Sequence, residues 1–239
     1  VAIGVRGTIV AVLAATAALA VSCPRARAET SNQIWPEVDL FVQVDNRTRV
    51  QLLALSRIAP GSGFASVQAG GQLEFSIRPL QAYLFPTIQR SKKERATLAI
   101  GYRSGTPIAE GSLGGAQENR LLGEATFRLV LPGSILVSDR NRLEGRQLDG
   151  DWSWRYRNRL MLERGFNAGR VRLAPFASAE LFYDSRYHAW NRLRAEAGVD
   201  IEELAGRGSV IELYLVRQLD DHARASPINA VGVSFQLHR

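Results

Sequence analysis

Val67-Gln68-Ala69-Gly70-Gly71-Gln72-Leu73-Glu74-Phe75-Ser76-Ile77-Arg78 is the stretch whose reading decides the fold. Val67, Ala69, Gly71, Leu73, Phe75 and Ile77 fall on one side. Gln68, Gly70, Gln72, Glu74, Ser76 and Arg78 fall on the other. A period of two means an extended strand with an apolar and a polar face. The pattern returns four more times. Leu121, Ala125, Phe127 and Leu129 alternate with Arg120, Glu124, Thr126 and Arg128. Trp152, Trp154, Tyr156, Leu160 and Leu162 alternate with Arg155, Arg157, Arg159 and Glu163. Leu193, Ala195, Ala197, Val199 and Ile201 alternate with Arg192, Arg194, Glu196 and Asp200, and Val231, Val233, Phe235 and Leu237 with Gly232, Ser234 and Gln236. Several runs reach about 12 residues, twice the usual ~5–6 of globular strands and enough for the ~9–11 that a tilted strand needs to cross a bilayer.

Turn signals such as Asp45-Asn46-Arg47, Pro132-Gly133-Ser134, Leu148-Asp149-Gly150 and Asn167-Ala168-Gly169 separate these runs. The spacing predicts strands near 34–44, 47–57, 66–78, 81–89, 95–104, 119–131, 135–145, 151–164, 170–183, 188–201, 208–218 and 227–238. The expected architecture is all-β: a single antiparallel up-and-down transmembrane barrel of about twelve strands, with ten the alternative because single-chain bacterial barrels favour even numbers. Pro86 makes 81–89 the weakest strand. With twelve strands and a periplasmic N-terminus, Ser104–Glu118 and Asp220–Pro227 lie outside and Pro132-Gly133-Ser134 lies inside.

The N-terminal residues fit export. Arg6 precedes an apolar stretch from Thr8 to Val21, and Ala26-Arg27-Ala28 forms a small-x-small site, so residues 1–28 read as a signal peptide and 29–239 as the barrel. Leu19-Ala20-Val21-Ser22-Cys23 offers a lipoprotein-type alternative, in which Cys23 carries a lipid. Cleavage after Ala28 removes Cys23, the one cysteine, and with it disulfides and thiol chemistry. Three of the arginines behind the +7 net charge sit in this leader, leaving about +4 spread along the remainder rather than gathered in a patch. That excludes nucleic acid as an expected partner. The expected location is the outer membrane of a Gram-negative bacterium, with outer-membrane lipid and the assembly machinery as partners.

Alternation alone does not say which face looks inward; a soluble periplasmic barrel or sandwich that binds a ligand is the rival. Strand length favours the membrane. So does the charge on the polar faces, where Arg155, Arg157, Arg159, Glu163, Glu180, Arg192, Arg194 and Glu196 are the candidate lumen-lining residues, able to pair across neighbouring strands. Trp35, Trp152, Trp154, Tyr183 and Trp190 stand near run ends, as an interfacial girdle requires. One pattern resists: Asn-Arg-Leu occurs at 141–143, 158–160 and 191–193. With Arg inward, each Asn points at lipid, so either these amides lie at headgroup depth or the facing differs locally.

Those triplets carry a resemblance. Arg140-Asn141-Arg142-Leu143-Glu144-Gly145-Arg146, Arg157-Asn158-Arg159-Leu160-Met161-Leu162-Glu163-Arg164 and Trp190-Asn191-Arg192-Leu193-Arg194 are similar to the domain-of-unknown-function 2490 family. The opening Ile34-Trp35-Pro36-Glu37-Val38 and the later Pro175-Phe176 with Glu180-Leu181-Phe182-Tyr183 resemble it too. The resemblance spans roughly Trp35 to Arg239 and implies a bacterial outer-membrane barrel without an activity. The chain departs from the habit of outer-membrane barrels of ending on an aromatic residue: it ends Leu237-His238-Arg239.

No catalytic, cofactor or metal motif accompanies the barrel. A lipid hydrolase needs a Ser–His pair oriented by a polar third group, and Asp184, Ser185 and His188 are the sole cluster of that kind. The three histidines, scattered along the chain, give no ligand spacing. The expected function is a narrow channel, passive transporter or envelope-integrity protein with an Arg/Glu-lined lumen, its solute unknown. Arg side chains fill much of so narrow a barrel, and their excess predicts a mild anion preference if the lumen is open.

Overall fold

The computed structural model describes residues 31–59, 64–79, 92, 94–106, 117–169, 171–204, 208–221 and 227–239. The strands are β1 (Ser31–Gln43), β2 (Thr48–Ala59), β3 (Phe64–Pro79), β4 (Glu94–Gly105), β5 (Glu118–Leu131), β6 (Ile135–Leu148), β7 (Asp151–Glu163), β8 (Phe166–Ala168), β9 (Val171–Asp184), β10 (Ala189–Glu202), β11 (Ser209–Asp220) and β12 (Ile228–His238). Each long strand pairs with its sequence neighbours, β7 with β9, and the sheet closes where β1 meets β12.

The barrel wall therefore holds eleven strands, with β8 outside it. The sheet thus has the expected count of about twelve strands, with one of them outside the wall. The 81–89 segment lies outside the described residues, and β3 pairs directly with β4 from Gln68↔Gly105 to Pro79↔Glu94, so no rung separates them. An odd count changes the closure. Each hairpin reverses the chain, so the eleventh strand runs the same way as the first, and β1 and β12 pair parallel from Ser31↔Ile228 to Phe41↔His238. It also moves the N-terminus. The β4–β5 and β11–β12 connections leave the same mouth at which β1 begins, whereas Pro132-Gly133-Ser134 sits at the opposite one. We call these the N-terminal and C-terminal mouths.

β8 continues β7 along the edge of β9. The β7–β9 register ends at Glu163↔Phe176, and β8 resumes it at Phe166↔Leu173. Between them Arg164 N–H reaches the Pro175 carbonyl at 3.1 Å, but Pro175 has no N–H to return, and the ladder breaks there. Turn chemistry sets the hairpins. Asp149 and Gly150 take φ of 51° and 95° in a two-residue loop, the positive-φ pair that matches strand twist. In the β1–β2 turn the Asp45 carboxylate accepts the backbone N–H groups of Arg47 at 2.7 Å and Thr48 at 2.9 Å. Those bonds hold its pKa below the usual carboxylate value.

The faces sort by the period of two. Phe75, Phe127 and Leu162 are 41%, 53% and 47% exposed on the outside, while Arg157 and Arg194 are 8% and 6% exposed within. Buried apolar packing is confined to small groups such as Trp35, Val216 and Ala230. This barrel is greasy outside and ionic inside.

Trp35 corrects the expected girdle. Ile34 and Val38 take outward positions, so Trp35 points into the lumen and donates its indole N–H to Gln33 at 2.8 Å. Trp152, Trp154 and Trp190 do face outward. Trp154 stacks on Tyr183 at 5.1 Å, and Trp190 meets Tyr183 and Tyr156 edge-on at 5.8 and 6.0 Å.

Candidate functional site

The register explains why the lumen must be a network. It sets Arg140 opposite Arg159 and Arg142 opposite Arg157 across β6 and β7, and like charges facing each other repel. Carboxylates from flanking strands relieve them. Glu180 on β9 takes two bonds from Arg157, 3.0 Å from Nε and 2.9 Å from Nη2, with Arg140 at 2.8 Å and Arg194 at 3.5 Å. Glu144 on β6 takes Arg155 at 2.5 Å and Arg157 at 2.9 Å. Glu124 on β5 takes Arg142 at 2.5 Å. Arg157 thus joins two carboxylates on opposite sides of its strand. Bidentate guanidinium–carboxylate pairs are among the strongest polar contacts a protein makes, and in a closed lumen each offsets the other's desolvation.

Of the residues singled out in sequence, Arg155, Arg157, Glu163, Glu180, Arg194 and Glu196 are buried on the inward face, with Arg159 and Arg192 half-buried there. Arg157, Glu180 and Arg194 meet in one cluster. Arg159 reaches Glu196 at 3.6 Å, Arg192 pairs with Asp220 near the N-terminal mouth, and Glu163 takes Lys92.

Lys92 and Phe182 were missed in sequence. Lys92 sits on the β3–β4 connection, yet its ammonium enters the lumen and bonds Glu163 of β7 at 2.6 Å and Asp200 of β10 at 2.8 Å. A loop lysine gives no periodic signal, so nothing in the sequence marks this latch across the C-terminal half. Burial alone would lower its pKa; Asp200 and then Glu163 outweigh burial and raise it. Phe182, 1% exposed, lies among four guanidiniums, those of Arg157, Arg194, Arg192 and Arg155, at 4.7, 5.1, 5.4 and 5.6 Å. Its ring face offers each cation partial negative charge without another carboxylate.

The three Asn-Arg-Leu triplets resolve in two ways. Asn141 and Asn158 face outward near mid-strand and lie opposite each other. The Asn158 amide donates to Asp139 at 2.7 Å and to Asn141 at 3.1 Å, and Tyr156 donates its hydroxyl to Asn141 at 2.5 Å. The two amides thus bond to each other and to Asp139 and Tyr156. Asn191 is the extra residue of a β-bulge between Trp190↔Tyr183 and Arg192↔Phe182, so it turns inward.

Asp184, Ser185 and His188 lie together at the β9–β10 turn, where each makes a bond of its own. Asp184 holds Arg186 at 2.8 Å and Arg146 at 3.0 Å. The Ser185 hydroxyl accepts the Trp154 N–H at 2.9 Å, and the His188 backbone N–H bonds the Ser185 carbonyl at 3.3 Å. Among the described residues no group of three or more His, Cys, Asp or Glu stands ready for a metal ion.

The side chains enclose a cavity of about 280 Å³, lined by eleven basic side chains and seven acidic ones. The profile of one family, described as "Protein of unknown function (DUF2490)", matches residues 32–226. The chain belongs to that family. No curated protein and no solved structure matches it. The DUF2490 match takes in β1 to β11 and stops before β12, so all of the ion-paired cluster falls within it.

Proposed function

We propose that this DUF2490 protein is an outer-membrane barrel of a Gram-negative bacterium, exported by a leader cleaved after Ala28, whose lumen admits small anionic solutes. The observation that carries the reading is the inversion of polarity: an apolar belt around an ionic interior. A soluble barrel has no reason to expose Ile100, Leu121, Phe127, Leu143 and Leu160 together. Dimensions agree. The thirteen residues of β7, at ~3.3 Å each and inclined by ~40°, span about 33 Å, against a hydrocarbon core of ~30 Å. Outer-membrane lipid then covers the belt, and the assembly machinery inserts it. The excess of basic over acidic groups around the cavity favours anions. Envelope integrity is the second reading, favoured by how fully the ion pairs bridge the lumen.

Fractionation with a heat-modifiability gel tests the location: the folded protein should stay in the outer-membrane fraction and migrate differently before boiling. Planar-bilayer recording in a KCl gradient tests passage, with a reversal potential on the chloride side expected. Zero current at every voltage removes the passage and leaves the envelope role.

A further inference from the structure

Arg57 on β2 and Arg103 on β4 differ from the other inward guanidiniums. Glu118, Glu124, Glu144 and Glu180 take up Arg120, Arg142, Arg155 and Arg157. Among the described residues no carboxylate lies within ion-pairing distance of Arg57 or Arg103, and the buried Nε of Arg103 has no hydrogen-bond partner. Both line the one cavity that Trp35 also lines. Each sits two residues from the end of its strand at the N-terminal mouth.

Their surroundings concentrate positive charge. Arg57 lies over the Trp35 ring at 4.3 Å, and Arg194 meets the same ring at 4.9 Å. Arg103 faces Arg120 across the β4–β5 ladder, but Arg120 is held by Glu118. On its other side Arg103 faces Gly70, where a Cβ would stand 2.2 Å from the Tyr102 carbonyl oxygen, so the close approach of the two backbones requires glycine. Ser66, directly opposite Arg57, keeps a fully buried hydroxyl without a partner. The two cations line the same cavity without a paired carboxylate, while its acids Glu37 and Asp39 stand beyond ion-pairing distance of both.

We propose that Arg57 and Arg103, with Trp35 beside Arg57, form a binding site for a small multivalent oxyanion, a solute bearing phosphate or carboxylate groups. A guanidinium fork matches the two oxygens of such a group in a way that a halide cannot. Two unneutralised cations in one cavity select more than one negative charge. The site deepens the anion-admitting reading of the lumen, yet needs only that the cavity be reached from solution, not that current flow.

The test uses the folded barrel in detergent micelles, titrated with sodium pyrophosphate and, separately, sodium citrate, with chloride at matched ionic strength as control. Calorimetry reads binding, and Trp35 emission reports its place. Saturable binding of at least one oxyanion, absent with chloride, is expected. Arg57→Gln and Arg103→Gln should each weaken it about tenfold or more, while Arg217→Gln, an outward arginine bonded to Asn229, leaves it unchanged. Trp35→Phe should abolish the emission change. Both inward variants should unfold at or above the wild-type temperature, because each deletes an unpaired buried charge. No saturable heat with either oxyanion, or equal affinity in both inward variants, overturns the site. Binding retained with zero bilayer current overturns passage alone; current without oxyanion binding overturns the site alone.

Discussion

Replacing Lys92 by Met removes the one described contact that ties the β3–β4 connection to the far wall of the lumen. The ammonium lies 2.6 Å from Glu163 and 2.8 Å from Asp200, and each carboxylate side chain is 3% exposed. Breaking a buried ion pair on one side costs about 3–5 kcal/mol, since the surviving charge keeps its desolvation penalty. At roughly 2–4 °C per kcal/mol for a chain of this size, the unfolding midpoint should fall by about 6–20 °C. Lys92→Arg should recover most of the loss. Adding Asp200→Asn to Lys92→Met should cost less than the two single effects combined, by about 1–3 kcal/mol of coupling. The assay is the temperature at which the fast, unboiled gel band converts to the slow one. The pH dependence has a definite sign. The folded pKa of Lys92 lies above its ordinary 10.5, so the latch contributes in full below about pH 10.5 and fades as pH climbs through the raised value. A Lys92→Met midpoint equal to wild type would refute the latch, as would a wild-type midpoint that falls between pH 8 and 10 by as much as the variant differs from it.

Three other outcomes follow from the geometry. Glu180→Gln removes the charge shared by Arg140, Arg157 and Arg194 and should destabilise by about 3–5 kcal/mol in denaturant-driven unfolding, far more than a surface carboxylate. Leu160→Arg, outward and three residues from the end of β7, should cost about 1–3 kcal/mol of folding into lipid vesicles if that face meets hydrocarbon; a change below about 0.5 kcal/mol is what a water-exposed face predicts. Asn158→Leu strips Asp139 of its amide donor and should cost about 1–3 kcal/mol, while the double variant Asp139→Leu with Asn158→Leu should recover stability, measured by the same vesicle-folding titration.

The wall was legible because each strand carries its own facing. Leu160 and Leu162 fall opposite Arg157 and Arg159 by spacing alone, and the long runs foretold wall strands of 11 to 16 residues. Closure was not legible, because the strand count depends on whether 81–89 forms a rung, and one rung decides the direction of the last pair, the position of the N-terminus and the parity of both mouths. Trp35 was misplaced for a related reason. A tryptophan near a strand end looks interfacial until its neighbours Ile34 and Val38 claim the outer face. Asn191 turns inward through a one-residue bulge, and a bulge leaves no signal in an alternating pattern. Lys92 enters from a loop, where no period exists to read.

The lumen's arrangement follows from an imbalance that alternation creates. Filling inward positions with arginine on β6 and β7 brings like charges into register at Arg140↔Arg159 and Arg142↔Arg157. Glutamates on β5, β6 and β9 reach sideways to them and offset that repulsion. Each such glutamate serves two or three arginines, as Glu180 and Glu144 do, and with eleven basic side chains against seven acidic ones the cavity lining holds more positive than negative charge. That surplus has to reside on particular side chains. Part of it falls on Arg57 of β2 and Arg103 of β4, which have no carboxylate within ion-pairing distance among the described residues. The charge that the wall cannot neutralise is therefore left where a solute's own oxygens can complete it.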